Sequence, residues 1–236
     1  MIVCLIPARK GSKRIKKKNI LKFFDKPMIA HSIRIAQKTK IFDKIYVSTN
    51  CKNTSRIAKK YGAIVPFVRP EKLSNDKSTD IEVLKHFLKF FKNKNLRFSY
   101  LCYIYPTSPI LKAETIKKSF NLLKNKKAQK VLTISKYEYP IQRALKTNQI
   151  GLVSFREPKY KNSTSQKLKE FYQDACQLYW YNLSKIKNLD NFEKFKTFGF
   201  KLKNTEFVDL NDKNDLNKLK IYYKNFKKIK INEYNY

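Results

Sequence analysis

Five short apolar runs, separated by amphipathic segments of helical length, fill the first 135 residues, and this alternation restricts the fold more than any other feature of the chain. Ile2 to Ile6 is continuous and apolar and stops at Pro7, the pattern of a strand buried on both faces. Pro27 opens a helix with Ile29, Ile33 and Ala36 on one face. Lys44 to Ser48, Ala63 to Phe67, Ser99 to Ile104 and Val131 to Ser135 read as further strands. Thr54 to Tyr61 reads as a helix, as does a segment with Ile81, Leu84, Phe87, Leu88 and Phe91 on one face, and another marked by Ile116, Phe120 and Leu123. Strand and helix in alternation predict an α/β fold, a Rossmann-like and mostly parallel sheet with helices on both faces. Ligands in such sheets bind beyond the carboxyl ends of the strands, which directs attention to the loops starting at Pro7, Asn50, Arg69, Tyr105 and Lys136.

From Tyr137 to about Leu178 the period is lost, and the segment reads as an extended insertion with short strands. Gln177 to Tyr181, Phe198 to Lys201 and Glu206 to Leu210 read as strands, and Asp212 to Phe226 as a last helix. A single domain over 1–228 with 137–178 inserted is expected, and the tail, from Lys227 and over 229–236, is expected to fray.

The net charge of +35 would suit a nucleic-acid binder. The Lys residues are spread along the whole chain, however, and Asn, Ile, Tyr and Phe are also abundant, so a solvated basic surface accounts for the excess and no nucleic-acid partner is expected. Cys4, Cys51, Cys102 and Cys176 lack metal-ligand spacing and read as reduced thiols, consistent with a cytoplasmic protein. No run approaches the roughly 18 to 20 apolar residues of a membrane span, and the apolar start is too short for a signal peptide, so no membrane partner is expected.

The loop after the first strand reads Pro7-Ala8-Arg9-Lys10-Gly11-Ser12-Lys13-Arg14, followed by Lys16, Lys17, Lys18 and Asn19. A glycine that permits close backbone approach and a dense set of cations suit a triphosphate. The same run also reads as a solvated lysine patch, and its spacing is not that of the common Gly- and Lys-containing phosphate loop.

The string Pro7-Ala8-Arg9-x-Gly11-Ser12-Lys13-x4-Lys18-Asn19 resembles the opening signature of the acylneuraminate cytidylyltransferases, a branch of the sugar nucleotidyltransferases. That family usually has Gly at the position of Lys10. Arg69-Pro70-x-x-Leu73-Ser74-x-Asp76 resembles its second loop, and Tyr105-Pro106-Thr107-Ser108-Pro109 its loop after the fourth strand. Members acting on sialic acid usually have Gln for Tyr105, and those acting on pseudaminic acid usually have Tyr. Tyr139-Pro140-Ile141-Gln142-Arg143-Ala144-Leu145 is similar to the pseudaminic acid branch, as is Ser165-Gln166-x-Leu168-x3-Tyr172-x-Asp174-Ala175-x-Gln177-Leu178-Tyr179-Trp180. That branch usually has Gly at Cys176. The matches run in order from residue 2 to about residue 212.

The resemblance implies transfer of CMP from CTP to the anomeric hydroxyl of an acidic nine-carbon sugar, with loss of pyrophosphate. It assigns the nucleotide to Ala8, Arg9, Gly11, Ser12, Lys13, Lys18, Asn19, Arg69, Ser74, Tyr105, Thr107 and Ser108, with Arg9, Lys18 and Asp209 catalytic. It assigns the sugar to Gln142, Arg143, Gln166, Tyr172, Asp174 and Gln177. Arg143 has two readings, a fork for the sugar carboxylate or a partner of a structural carboxylate. The family usually holds a catalytic Mg²⁺ on two Asp residues that flank one apolar residue; this chain has Asp209 and Asn211, and Asn211 is either a metal ligand or the cap of the last helix. No general base stands out. The resemblance further implies a homodimer that exchanges part of residues 140–175, and a product destined for flagellin or a surface polysaccharide. Rival readings are the same reaction on legionaminic, sialic or 3-deoxy-octulosonic acid, a basic RNA-binding domain, and a relic that binds CTP but turns over poorly.

Overall fold

The computed structural model describes residues 1–233. In chain order, β1 (Ile2–Pro7) is followed by the two-residue pieces β2 (Lys22–Phe23) and β3 (Lys26–Pro27), α1 (Met28–Thr39), β4 (Lys44–Ser48) and α2 (Lys52–Lys60). Next come α3 (Asp80–Lys92), β5 (Tyr100–Ile104), α4 (Ala113–Asn125) and β6 (Lys130–Lys136). The hairpin β7 (Leu145–Thr147) and β8 (Val153–Phe155) leads to β9 (Tyr172–Asn182), β10 (Thr197–Leu202) and α5 (Lys213–Glu233). Six strands form one sheet in the order β10-β6-β9-β5-β1-β4. All run parallel except β9, which pairs antiparallel with both β5 and β6 at the centre. The expected mostly parallel α/β sheet is therefore present.

Alternation along the strands divides the core. Cys4 and Ile6 of β1, Cys102 and Ile104 of β5 and Trp180 of β9 face α1 and α4. Val3, Leu5, Leu101 and Tyr103 face Leu84, Phe87 and Phe91 of α3 on the other side. Trp180 also donates its indole N–H to Ile116 O at 3.2 Å, which ties β9 to α4. A third cluster packs Leu219 and Tyr223 of α5 against Ile15 of the first loop and against Val208 and Leu210.

Several expectations are corrected. Ala63–Phe67 is not a strand: Ile64 and Val68 make isolated bridges to Tyr46 and Thr49, and Pro66 between them has no N–H for a ladder. Glu206–Leu210 pairs with nothing; Val208 and Leu210 are buried by packing under α5 instead. The sheet also claims more of the segment from 137 than expected, because β9 begins at Tyr172. Helix α5 continues through Glu233 where the sequence pattern ended it at Phe226; residues 234–236 lie outside the described residues.

Candidate active site

A cleft of about 440 Å³ opens beyond the carboxyl ends of β1 and β5. Its basic wall is the loop after β1. The loop is fixed from behind by three hydrogen bonds: Ala8 N to Ser48 O (2.8 Å), Lys10 N to Asn50 Oδ1 (2.9 Å), and Asn19 Nδ2 to Arg9 O (2.9 Å). Arg9, Gly11, Ser12, Lys13, Lys18 and Asn19 line the cleft, while Ala8 is buried behind it. Across the opening, Asp76 accepts from Arg9 Nη1 at 2.7 Å and pairs with Lys13 Nζ at 2.6 Å. The hydrogen bonds from Lys13 and then Arg9 hold the Asp76 carboxyl below its ordinary range. A methyl group on Gly11 would meet nothing nearer than Arg9 Nη1 at 3.8 Å, so the protein's own packing does not demand glycine there.

Lys18 bridges this loop to the segment before α5. Its Nζ donates to Leu210 O at 2.6 Å; burial lowers its pKa and the nearby Asp209 charge opposes that shift. Asp209 is exposed, and its Oδ2 accepts from Asn211 Nδ2 at 2.8 Å. Asn211 Oδ1 accepts from Arg14 Nη2 at 3.0 Å. Asn211 does not cap α5: Asp212 Oδ1 does so, accepting from Asn214 N at 2.8 Å and Asp215 N at 3.0 Å. The basic loop and the Asp209–Asn211 pair thus meet, held together by the apolar cluster of Ile15, Leu210 and α5.

The opposite wall is aromatic and acidic. Thr79 caps α3 in a reciprocal capping box with Glu82, which puts Asp80 in the first helical turn facing the cleft. Asp80 accepts from Tyr103 at 2.5 Å and from Tyr105, and Tyr105 lies 3.2 Å from the hydroxyl of Tyr179. Tyr179 in turn donates to Asp174 Oδ2 at 2.7 Å. Arg69 is buried, its Nε donating to Ser74 Oγ at 3.2 Å; its Nη2 is buried with no partner among the described residues, and burial lowers the guanidinium pKa. Thr107 lines the cleft, and Ser108 lies buried behind it with its hydroxyl unpartnered among the described residues. Asp80 and Tyr103 escaped the sequence reading. The signal was there in part: Tyr103 and Tyr105 stand two apart at the end of a strand, on one face.

The six residues assigned to the sugar lie outside the cleft lining. Gln142 is buried and donates to Lys169 O at 2.7 Å, and Tyr172 donates to Glu170 Oε2 at 2.6 Å. Gln142 and Gln177 each bury a side-chain oxygen that has no partner among the described residues. Arg143, Gln166 and Asp174 are exposed. Cys176, where the resembling branch has Gly, sits at φ +48°, a left-handed conformation that glycine adopts most easily. It lies in the stretch of β9 where the register against β6 shifts, and the charges of Asp174, Asp209 and Asp80 all act on its thiol. Asp174 is brought to the aromatic wall by its hydrogen bond from Tyr179.

Among the described residues no group of three or more His, Cys, Asp or Glu side chains could hold a metal ion. Asp209 offers one exposed carboxylate, which suits an ion such as Mg²⁺ that keeps waters and is held chiefly by substrate phosphates. Asn211 could join it only after Arg14 releases its carbonyl oxygen.

Residues 3–231 match the family described as Cytidylyltransferase. The chain is 33% identical over 222 residues to a pseudaminic acid cytidylyltransferase of Campylobacter jejuni, covering 94% of this chain and 96% of that one. It is 30% identical, over 88% of its length, to a Helicobacter pylori protein named as pseudaminic acid cytidylyltransferase and UDP-2,4-diacetamido-2,4,6-trideoxy-beta-L-altropyranose hydrolase, of which it covers 40%. The fold resembles a CMP:2-keto-3-deoxy-manno-octonic acid synthetase solved with CTP, with a TM-score of 0.66 at 16% identity, covering 93% of this chain and 97% of that one. Match, relatives and fold agree over nearly the whole length, and the chain belongs to the cytidylyltransferase family.

Proposed function

We propose that the protein joins pseudaminic acid to CMP: the anomeric hydroxyl gives up its proton to solvent, its oxygen bonds to the α-phosphorus of CTP, the bond from that phosphorus to the bridging oxygen breaks, and pyrophosphate leaves with the bonding pair. The observation that carries the sugar assignment is the full-length similarity to the Campylobacter jejuni pseudaminic acid cytidylyltransferase. The cleft supports the reaction. Arg9, Lys13 and Lys18 gather positive charge where a triphosphate would lie, and that charge stabilises both the α-phosphate and the departing pyrophosphate. Phosphate oxygens would take over Arg9 and Lys13 from Asp76, exchanging one set of charge-assisted hydrogen bonds for another. Arg69, with its unpartnered buried Nη2, offers a directed donor for the nucleoside end. A Mg²⁺ ion at Asp209 would supply further charge neutralisation for the phosphates. Lys18 holds the Asp209 segment against the basic loop, so that the carboxylate and the cations keep a fixed spacing.

Two further readings belong with this one. A homodimer is supported by the β7–β8 hairpin, where Leu145 (59% exposed), Ile150 (87%), Leu152 (67%) and Val153 (57%) stand in water near the equally exposed Tyr139 (82%). So much apolar surface in one place suits cover by a second copy, and a monomer by light scattering at micromolar concentration would remove this reading. Cytoplasmic action is supported by four unpaired cysteines, and glycosylation of flagellin or a surface polysaccharide is the destination proposed for the product.

The deciding experiment measures pyrophosphate release from CTP and Mg²⁺ with pseudaminic, legionaminic, sialic and 3-deoxy-octulosonic acids offered separately. Release with pseudaminic acid alone is expected. Release with another acid instead would keep the reaction and overturn the sugar, and silence with all four would overturn the reaction.

A further inference from the structure

Asp80 spends both carboxylate oxygens on phenols: Oδ1 on Tyr103 at 2.5 Å, Oδ2 on Tyr105. Each phenol has a single proton to give. Tyr105 gives its proton to Asp80, and Tyr179 gives its own to Asp174 at 2.7 Å. No proton then remains for the 3.2 Å contact between the two phenol oxygens. Burial, reinforced by the Asp80 charge, holds the Tyr105 phenol far above its ordinary range, so it keeps its proton for Asp80. Lys130 and Arg69 both lie within electrostatic reach of Asp80, and Lys130 within reach of Asp174 too. Tyr105 and Asp80 line the cleft, and what Tyr105 has left to offer there is lone pairs.

We propose that Asp80 fixes the hydrogen-bond polarity of Tyr105, so that this point of the cleft selects a substrate group that donates, a hydroxyl or an N–H. The inference rests on the cytidylyltransferase reading. The donor comes from one of two sources, the nucleoside end of CTP or a hydroxyl or amide of the sugar acid. Asp80 is a positioning residue in this scheme, acting through Tyr105.

The test compares the wild type with Asp80→Asn, Asp80→Glu, Tyr105→Phe and the Asp80→Asn/Tyr105→Phe double variant. Asn keeps an acceptor for Tyr103 but presents an N–H to Tyr105, which turns the phenol proton toward the cleft. Steady-state pyrophosphate release is measured against CTP and against pseudaminic acid, with calorimetric binding of each substrate and the melting temperature of each variant. In Asp80→Asn the KM of one substrate should rise by about tenfold, the scale of a mismatched donor and acceptor in a buried site, with kcat within about threefold. The substrate whose KM moves identifies the source of the donor. Asp80→Glu should recover most of the loss, and Asp80→Asn should add little to Tyr105→Phe. The inference is overturned if Asp80→Asn melts lower but leaves both KM values unchanged, or if its effect is the same with and without the Tyr105 hydroxyl. Should Asp80→Asn not fold, unchanged KM values in Tyr105→Phe overturn it alone. A wild type that releases no pyrophosphate defeats the cytidylyltransferase reading instead, and the binding data then decide the polarity of Tyr105.

Discussion

The two walls of the cleft are built on opposite principles. The wall from Arg9 to Lys18 is a loop of cations, largely exposed, two of which, Arg9 and Lys13, are held by one exposed carboxylate, Asp76. The wall of Asp80, Tyr103, Tyr105 and Tyr179 belongs to the core, where each phenol proton already has a carboxylate and α3 packs behind through Phe87 and Phe91. Exposed ion pairs are weak and exchange readily, whereas buried hydrogen-bonded groups are costly to rearrange. One wall can therefore yield to a highly charged ligand while the other holds its shape.

Four changes would break or sharpen this contrast. Phe87→Ala empties space behind the rigid wall and should cost about 3–5 kcal/mol of stability, read by denaturant unfolding. If stability fell by far less, the aromatic wall would not derive its rigidity from the core. Lys18→Ala removes the cation tied to Leu210 O and should lower kcat/KM by about 10²-fold, the scale of losing one preorganised charge donor, with little change in melting temperature. Gly11→Ala tests whether the loop reserves space for a ligand alone. Folding stability should stay within about 0.5 kcal/mol, since the added methyl meets only ordinary contacts, while the KM for CTP rises by roughly tenfold if backbone and phosphate approach closely there. Asp76→Asn frees Arg9 and Lys13, so the KM for CTP should fall by about two- to threefold at low ionic strength, and the difference should vanish in high salt. An unchanged KM at low salt would mean that the ligand does not compete with Asp76.

The same contrast decided what could be read from the sequence. Strands and helices whose apolar side chains are spent mainly on the core, such as β1, β5, α3 and α4, carry clean patterns even where one residue, Asp80 or Tyr103, turns to the cleft. β9 reads as a strand only from Gln177, because its first half carries Cys176 in a left-handed conformation and its register shifts against β6. Val208 and Leu210 alternate like a strand for a different reason: both reach under α5 with no neighbouring strand at all. In the site, the basic loop was legible because its residues are consecutive. The Asp80 network was not, because Asp80, Tyr105, Asp174 and Tyr179 meet only when three separate elements pack. Nothing in the string marks Asp80 as more than part of the first turn of α3.

The central place of β9 also sets the order in which the molecule can be assembled. β1, β4 and β5 are complete by residue 104 and β6 by residue 136, yet β5 and β6 never touch within the sheet; only β9, ending at residue 182, fills the space between them. A chain emerging from the ribosome therefore carries β5 with one open edge and β6 with both edges open through the synthesis of the long segment that follows β6, and such edges invite pairing with other chains. The late, long-range closure of this gap makes β9 the slow step to watch in folding, and its loss would leave two half-sheets in place of one.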